Sequence, residues 1–173
     1  GLMNKYVIKN PYDAEIKLFL SDVDGTMTDA GMYYSESGEE VKKFNTRDGK
    51  GFELLRKSGI KVGIITSENT DIVSNRAEKL KVDFLYQGLE HNGKLDIVKK
   101  LCKSEKINLN NVAYIGDDLN CMELLRAVGL SACPCDASQI VKNIPNIKVL
   151  TKKGGDGVVR ELIDIILQWK EYL

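Results

Sequence analysis

Short apolar segments alternate with amphipathic ones along most of this chain, and that alternation limits the folds it can adopt. The apolar segments cover residues 15–21, 61–66, 83–87, 112–116, 130–133 and 147–150. Segments with helical periodicity lie between them, over residues 48–58, 70–80, 94–102, 119–128, 138–142 and 158–169. Such alternation favours parallel strands joined by right-handed crossovers, with helices on both faces. We therefore predict a Rossmann-like, doubly wound α/β fold with a mostly parallel sheet.

A polar stretch flanked by aromatic and apolar residues interrupts the alternation between residues 31 and 45. Tyr33 and Tyr34 precede the polar residues 35–40, and residues 41–44 (VKKF) follow them. Two such runs around a connection that contains glycine are typical of a β-hairpin. We expect a projecting hairpin flap over about residues 31–45. The length of 173 residues suits one domain, which we expect to span residues 1–173.

Charge and hydropathy exclude several classes of protein. The 25 Lys and Arg residues balance the 25 Asp and Glu residues, so we expect neither a nucleic-acid nor a membrane partner. No apolar run reaches the roughly 18 residues that span a bilayer, and the N-terminal residues lack the layout of a secretory signal. We therefore expect a cytoplasmic protein. The spacing of the four cysteines fits no zinc template, which favours reduced thiols.

Polar side chains follow three of the predicted strands at the point where each strand ends. In an open α/β sheet, ligands bind beyond the carboxyl ends of the strands, so these side chains should share one edge. They are Asp22, Asp24, Thr66, Ser67, Asp117 and Asp118. Lys94, which opens the helix after the strand at residues 83–87, adds a cation at the same edge.

The chemistry of this edge predicts a site for phosphoryl transfer. Acidic turns after strands are often only solvated, but clustered carboxylates repel one another unless a cation neutralises them, and their hard oxygens select Mg²⁺. A lysine and hydroxyl groups beside such a cation suit a phosphoryl ligand. Asp22 can attack phosphorus to form an aspartyl-phosphate. Asp24 can protonate the leaving group and then deprotonate the attacking water.

Taken together, these residues resemble the motifs of the haloacid dehalogenase superfamily. Residues 22–26 (DVDGT) resemble its first motif and Thr66 its second. Lys94 resembles the third motif, and residues 116–118 (GDD) resemble the fourth. The resemblance extends over nearly the whole chain.

A closer resemblance is to the small 3-deoxy-D-manno-octulosonate 8-phosphate phosphatases, which lack a cap domain. Residues 28–51 and the late glycine-rich residues 154–157 (GGDG) carry this resemblance. The subfamily includes phosphatases of nine-carbon sialic-type 9-phosphates, and related sequences are often labelled acylneuraminate cytidylyltransferase. The resemblance implies a Mg²⁺-dependent phosphoric monoester hydrolase that acts on a sugar acid phosphate, in lipopolysaccharide or sialic acid biosynthesis.

The resemblance also implies a role for each residue that matches a motif. Asp22 would be the nucleophile and a Mg²⁺ ligand, and Asp24 the acid and base, with its main-chain carbonyl on the metal. Asp117 would be the third protein ligand of the metal. Thr66 and Lys94 would hold the phosphoryl oxygens.

Substrate recognition and assembly are implied in the same way. Glu68 and Arg76 would bind the sugar acid, because an arginine suits a carboxylate, and Ser67 would add a hydroxyl beside the phosphate. The chain would form a homotetramer in which the hairpin with Tyr33 and Tyr34 closes the active site of a neighbour.

Cys121 departs from the resemblance. Relatives often carry a further acid four residues after the position of Asp117, where this chain has Cys121. Asp118 could still hold a metal-bound water, but we expect a weaker metal site.

Several alternatives remain at this stage. A phosphomutase would return the phosphoryl group to the sugar, a receiver-like domain would only accept it, and a non-catalytic domain would serve assembly or regulation. Asp48 could touch substrate or cap the helix that follows it. Gly154 and Gly155 could shape a segment that enters a neighbour's site, or only permit a turn. His91 is expected at the surface.

Overall fold

The computed structural model describes residues 15–90 and 93–172, and its strands confirm the predicted sheet. They are β1 (Leu18–Ser21), β2 (Tyr33–Tyr34), β3 (Glu40–Val41), β4 (Lys61–Ile65), β5 (Phe84–Tyr86), β6 (Val112–Ile115), β7 (Leu130–Cys133) and β8 (Lys148–Val149). Six of them form one sheet in the order β5-β4-β1-β6-β7-β8, and every neighbouring pair is parallel. His91 lies outside the described residues.

Helices cover both faces of the sheet. They are α1 (Thr46–Lys57), α2 (Asp71–Leu80), α3 (Gly93–Glu105), α4 (Met122–Ala127), α5 (Gln139–Lys142) and α6 (Val158–Trp169). Helices α1, α2 and α6 pack on the face that contains Phe19, whereas α3, α4 and α5 pack on the face that contains Leu18 and Leu20. Because both faces are buried, β1 is apolar at successive positions instead of alternating with polar residues.

Helix α6 matches its predicted bounds, and its apolar stripe with Trp169 belongs to the core, as expected. The described helices include none that is long and apolar enough to cross a membrane. All four cysteines are free thiols.

The start of α1 differs from the prediction. Asn45, not Asp48, caps this helix, because Asn45 has an extended backbone and its side chain accepts a hydrogen bond from the Arg47 amide at 2.8 Å. Asp48 lies one turn further along and is buried. Its Oδ1 accepts a hydrogen bond from the Arg160 amide at 2.9 Å, so Asp48 joins α1 to the first turn of α6.

A two-stranded antiparallel hairpin, β2 with β3, follows the loop after β1, as the sequence predicts. Its strands are only two residues long each, so most of residues 31–45 lies in the connections. The base is fixed by Asp29, which accepts hydrogen bonds from the Tyr33 hydroxyl at 2.6 Å and from the Gly31 amide at 2.9 Å. Between β1 and β4, the described chain holds this flap and α1.

The glycine-rich segment before α6 packs against the loop that follows β1 in the same chain. The Gly155 amide donates to the Thr26 carbonyl at 3.0 Å. A Cβ atom on Gly154 would lie 2.0 Å from the carbonyl oxygen of Gly25, and Asp136 holds the Gly154 amide at 3.1 Å. Residues without side chains are therefore required for this close approach.

Candidate active site

The carboxyl ends of β1, β4 and β6 open into one cavity of about 220 Å³. The cavity is lined by Asp22, Asp24, Ala30, Thr66, Ser67, Glu68, Asp117, Asp118 and Asn120. Every predicted residue from the strand ends therefore contributes to one site. Lys94 reaches Asp22 from α3, while Arg76 is not among the described residues that line the cavity.

Asp22 and Lys94 form a buried ion pair in the floor of the cavity. The Lys94 ammonium donates to Asp22 Oδ1 at 3.0 Å and to the Tyr114 hydroxyl at 3.2 Å. Burial alone would lower the pKa of Lys94, but the electrostatic interactions with Asp22 and Cys121 and the hydrogen bonds to them together outweigh that effect, and the pKa is raised. The floor therefore presents a fixed positive charge beside the predicted nucleophile.

Asp24 is held by Lys42, a residue that the sequence analysis did not single out. The Lys42 ammonium lies 2.7 Å from Asp24 Oδ1 and 3.2 Å from Glu68 Oε2, and Glu40 is also 3.2 Å away. The Lys42 side chain is only 1% exposed. Burial opposes its charge, yet the carboxylates raise its pKa above the ordinary value. One buried cation thus joins the hairpin to the predicted acid and base.

Asp117 lies so close to Asp22 that the two carboxylates interact directly. Burial, the charge of Asp22 and a hydrogen bond with it raise the pKa of Asp117 to about 8. Gly25, at φ +80°, makes room for this carboxylate, because a Cβ there would lie 1.8 Å from Asp117 Oδ2. No side chain at position 25 would fit in this space. Two closely spaced carboxylates suit a hard divalent cation, so these residues fit Mg²⁺.

The remaining walls of the cavity are hydroxyl and amide groups. Thr66 is buried at the end of β4, where its amide donates to the Tyr86 carbonyl at 2.9 Å. Asn120, which the sequence analysis did not include, donates to the Ser67 hydroxyl at 3.0 Å. Asp118 accepts a hydrogen bond from the Leu119 amide at 2.7 Å and so caps the short turn that follows it. Its predicted contact with a metal-bound water stays a prediction.

Cys121 is fully buried beneath the cavity. Its thiol donates to Asp22 Oδ2 at 3.3 Å, and its sulfur accepts from Lys94 at 3.6 Å. Burial and the charge of Asp22 raise the pKa of this thiol to about 12, so the thiol is neutral where an acid would be charged.

Arg76 lies on α2 and faces the start of α1. Its guanidinium donates to the Asn45 carbonyl at 3.4 Å and stacks over the ring of Phe44 at 5.5 Å. The structure therefore brings Glu68 to the cavity but not Arg76, and the predicted contact between Arg76 and a sugar acid stays a prediction.

Comparisons with known proteins identify the family of this chain. Residues 90–162 match the haloacid dehalogenase-like hydrolase model. The 3-deoxy-D-manno-octulosonate 8-phosphate phosphatase of Yersinia pestis is 41% identical over 155 residues, which are 89% of this chain and 81% of that protein.

Solved structures agree with the sequence comparison. A crystal structure of the Yersinia pestis phosphatase has a TM-score of 0.86 at 39% identity, covering 91% of this chain and 84% of that one. The Moraxella catarrhalis phosphatase, solved with a magnesium ion, a phosphate ion and 3-deoxy-D-manno-octulosonate, has a TM-score of 0.84 at 34% identity, covering 91% and 89%. The chain belongs to the 3-deoxy-D-manno-octulosonate 8-phosphate phosphatase family of haloacid dehalogenase-like hydrolases and is a phosphoric monoester hydrolase.

Proposed function

We propose that the protein is a Mg²⁺-dependent phosphatase that removes the terminal phosphate of 3-deoxy-D-manno-octulosonate 8-phosphate through an aspartyl-phosphate on Asp22. One observation carries this proposal: Asp22, Asp24, Thr66 and Asp117 line a single cavity, with Lys94 bound to Asp22 beneath it. The substrates named for the Yersinia pestis and Moraxella catarrhalis relatives support the choice of sugar acid. A nine-carbon sialic-type 9-phosphate is the alternative substrate.

The metal would be held by the carboxylates of Asp22 and Asp117 and by the main-chain carbonyl of Asp24. When bound, Mg²⁺ neutralises these carboxylates and draws electron density from the phosphoryl oxygens. The magnesium ion of the Moraxella catarrhalis relative supports this assignment. Asp118, one residue from Asp117, is proposed to hold a metal-bound water from the cavity wall.

The side chains of the cavity can carry the reaction in two steps. In the first, a carboxylate oxygen of Asp22 attacks phosphorus, the bond to the sugar oxygen breaks, and Asp24 protonates that oxygen. In the second, Asp24 takes a proton from water, which attacks phosphorus and releases phosphate from Asp22. Lys94 and Thr66 stabilise the charge that develops on the phosphoryl oxygens.

Lys42 and Glu68 extend the site toward the hairpin. Because the Lys42 ammonium contacts both Asp24 and Glu68, it fixes the position of the acid and base and of the cavity wall next to it.

The substrate is a small phosphorylated metabolite, which agrees with the cytoplasmic location expected from the sequence. We propose that residues 1–173 act as one capless domain.

The proposed substrate can be tested with a phosphate-release screen. We expect kcat/KM for 3-deoxy-D-manno-octulosonate 8-phosphate to exceed that for glucose 6-phosphate by at least about tenfold, equivalent to about 1.4 kcal/mol of transition-state binding. A sialic-type 9-phosphate that performs better would favour the alternative substrate. Equal efficiency on all of these compounds would contradict the sugar-acid assignment, and a product phosphorylated at another position would identify a mutase.

Arg76→Ala belongs in the same screen. If Arg76 binds the substrate carboxylate, the variant loses part of its preference for sugar acids while its turnover of a small generic ester changes less. Arg126→Ala, on the exposed face of α4, is the matched control. An equal loss on every substrate would show that Arg76 acts only through its contacts with Phe44 and Asn45.

We propose that a second copy of the chain covers the hairpin in a homotetramer. Met32, Tyr33, Tyr34 and Val41 are between 45% and 62% exposed and lie on one hairpin, so their apolar surface is open to a partner chain. Lys42 joins the hairpin to Asp24 of the same chain, so a second copy packed on the hairpin would lie next to an active site.

Changing both Tyr33 and Tyr34 to serine is expected to weaken assembly and lower activity together, because both tyrosines supply the apolar contact area. Light scattering combined with phosphate release measures the two effects. Tyr172→Ser removes an equally exposed tyrosine from another part of the surface and is the control. A fully active wild-type monomer would contradict the proposed assembly.

A further inference from the structure

The two oxygens of the Asp22 carboxylate contact different groups, and Cys121 is one of them. Asp22 Oδ1 accepts a hydrogen bond from Lys94, while Oδ2 accepts one from the Cys121 thiol at 3.3 Å. A Cβ atom on Gly116 would lie 2.7 Å from the Cys121 sulfur, so the space around this thiol is tightly fixed. The sulfur therefore faces one oxygen of the nucleophile from below.

Three possible metal ligands meet on this lower side. One oxygen from each of Asp22 and Asp117 and the Cys121 sulfur all lie within 4.8 Å of one another. In a tetrahedral zinc site, Zn–S bonds of about 2.3 Å and Zn–O bonds of about 2.1 Å place ligand atoms about 3.5 Å apart. Because the three atoms lie up to 4.8 Å apart, closing to that spacing requires shifts of no more than about 1.3 Å.

The chemistry of the third ligand distinguishes this chain. Two carboxylates alone favour a hard cation, whereas a thiolate favours borderline and soft ions such as Zn²⁺, Co²⁺ and Cd²⁺. We propose that Asp22, Asp117 and Cys121 form a binding site for a thiophilic divalent cation, with Zn²⁺ as the prototype. The ion enters from the cavity, which both carboxylates line.

When an ion binds at this site, the Cys121 proton is exchanged for a bond between sulfur and the metal. The Cys121 thiol loses its proton to solvent, and the resulting thiolate bonds to the ion through sulfur. Lys94 keeps its contact with Asp22 Oδ1, so the ion takes Oδ2. Asp22 and Asp117 are also the proposed Mg²⁺ ligands, so Zn²⁺ bound here displaces Mg²⁺ and inhibits the phosphatase. Only this last consequence rests on the proposed function.

The experiment uses Co²⁺ as a spectroscopic probe of the intact protein. A thiolate on Co²⁺ gives a sulfur-to-metal charge-transfer band, which requires no turnover, so failure of the phosphatase assignment leaves this readout unaffected. We expect the band in the wild type and in Cys102→Ser, which changes another buried free cysteine on α3. It should be lost in Cys121→Ser and in Cys121→Asp.

Zn²⁺ titrations give two further readouts. Zn²⁺ affinity should fall by about tenfold or more in Cys121→Ser, and that variant should release one proton fewer per ion bound than the wild type. Cys121→Asp replaces the sulfur with a carboxylate oxygen, so the loss of the sulfur ligand can still be measured if the serine variant does not fold.

Three outcomes would overturn the proposal. These are a wild type that does not bind Co²⁺, Co²⁺ binding without the charge-transfer band, and a band that persists when Cys121 is replaced.

Discussion

Replacing Asp22 with asparagine is expected to abolish phosphate release, with kcat lower by at least about ten-thousandfold. An amide cannot form the acyl-phosphate and contributes no charge to a bound cation. The fold should persist, because two electrostatic effects oppose each other. Lys94 loses its charged partner, whereas Asp117 loses the neighbouring carboxylate whose charge helps to raise its pKa to about 8.

The measurement combines phosphate release with circular dichroism and thermal melting. Asp71→Asn is the matched control, since Asp71 is an exposed acid in the first turn of α2 and is not among the described residues that line the cavity. Asp24→Asn should bind substrate and stall, because no group is left to protonate the sugar oxygen. Wild-type turnover by a pure Asp22→Asn preparation would rule out the proposed mechanism.

Gly154→Ala is expected to lower both stability and turnover, although Gly154 lies outside the cavity. Its Cβ would lie 2.0 Å from the Gly25 carbonyl and 2.9 Å from the Thr28 carbonyl, and these backbone atoms belong to the loop that carries Asp22 and Asp24. The overpacking should cost about 2 kcal/mol of unfolding free energy. Displacing the loop by a fraction of an ångström should lower kcat by about a hundredfold.

Thermal melting and steady-state kinetics would measure both effects of Gly154→Ala. The control is Gly93→Ala, because a Cβ on Gly93 meets only the side chain of Leu89 among the described residues, at 3.5 Å or more. A Gly154→Ala variant with unchanged melting temperature and kcat would show that the loop after β1 tolerates displacement. That result would contradict the claim that the glycine-rich segment fixes the position of this loop.

The site could be predicted from the sequence wherever a single rule fixed the position of a residue. Asp22, Thr66 and Asp117 each follow a parallel strand, and the carboxyl ends of neighbouring parallel strands meet at one edge whatever the side chains are. Lys94 could be found in the same way, because it lies in the first turn of the helix that leaves this edge. The doubly wound topology followed from the alternation of strands and helices.

Other residues could not be predicted because they depend on contacts between distant segments. Lys42 has the same character as its neighbour Lys43, and only the path of the hairpin directs one of them to Asp24. The sequence pattern predicts a helix over residues 119–128, but the structure has a short 3-10 turn at Leu119–Cys121, which brings the Asn120 amide to the Ser67 hydroxyl. The sequence pattern allows Asp48 to cap its own helix, but in the structure Asp48 accepts a hydrogen bond from the amide of Arg160, far along the chain.

The contact between the glycine-rich segment and the loop after β1 also bears on the order of folding. Gly155 bonds to Thr26 across most of the described sequence, and Asn45 holds the Gly155 carbonyl at 3.3 Å. Contacts of such long sequence separation form late, because a large loop must close before they add stability. We therefore expect the nucleophile loop to reach its final shape only after the last strand and helix have docked. Recovery of activity during refolding should accordingly lag behind recovery of helix and sheet.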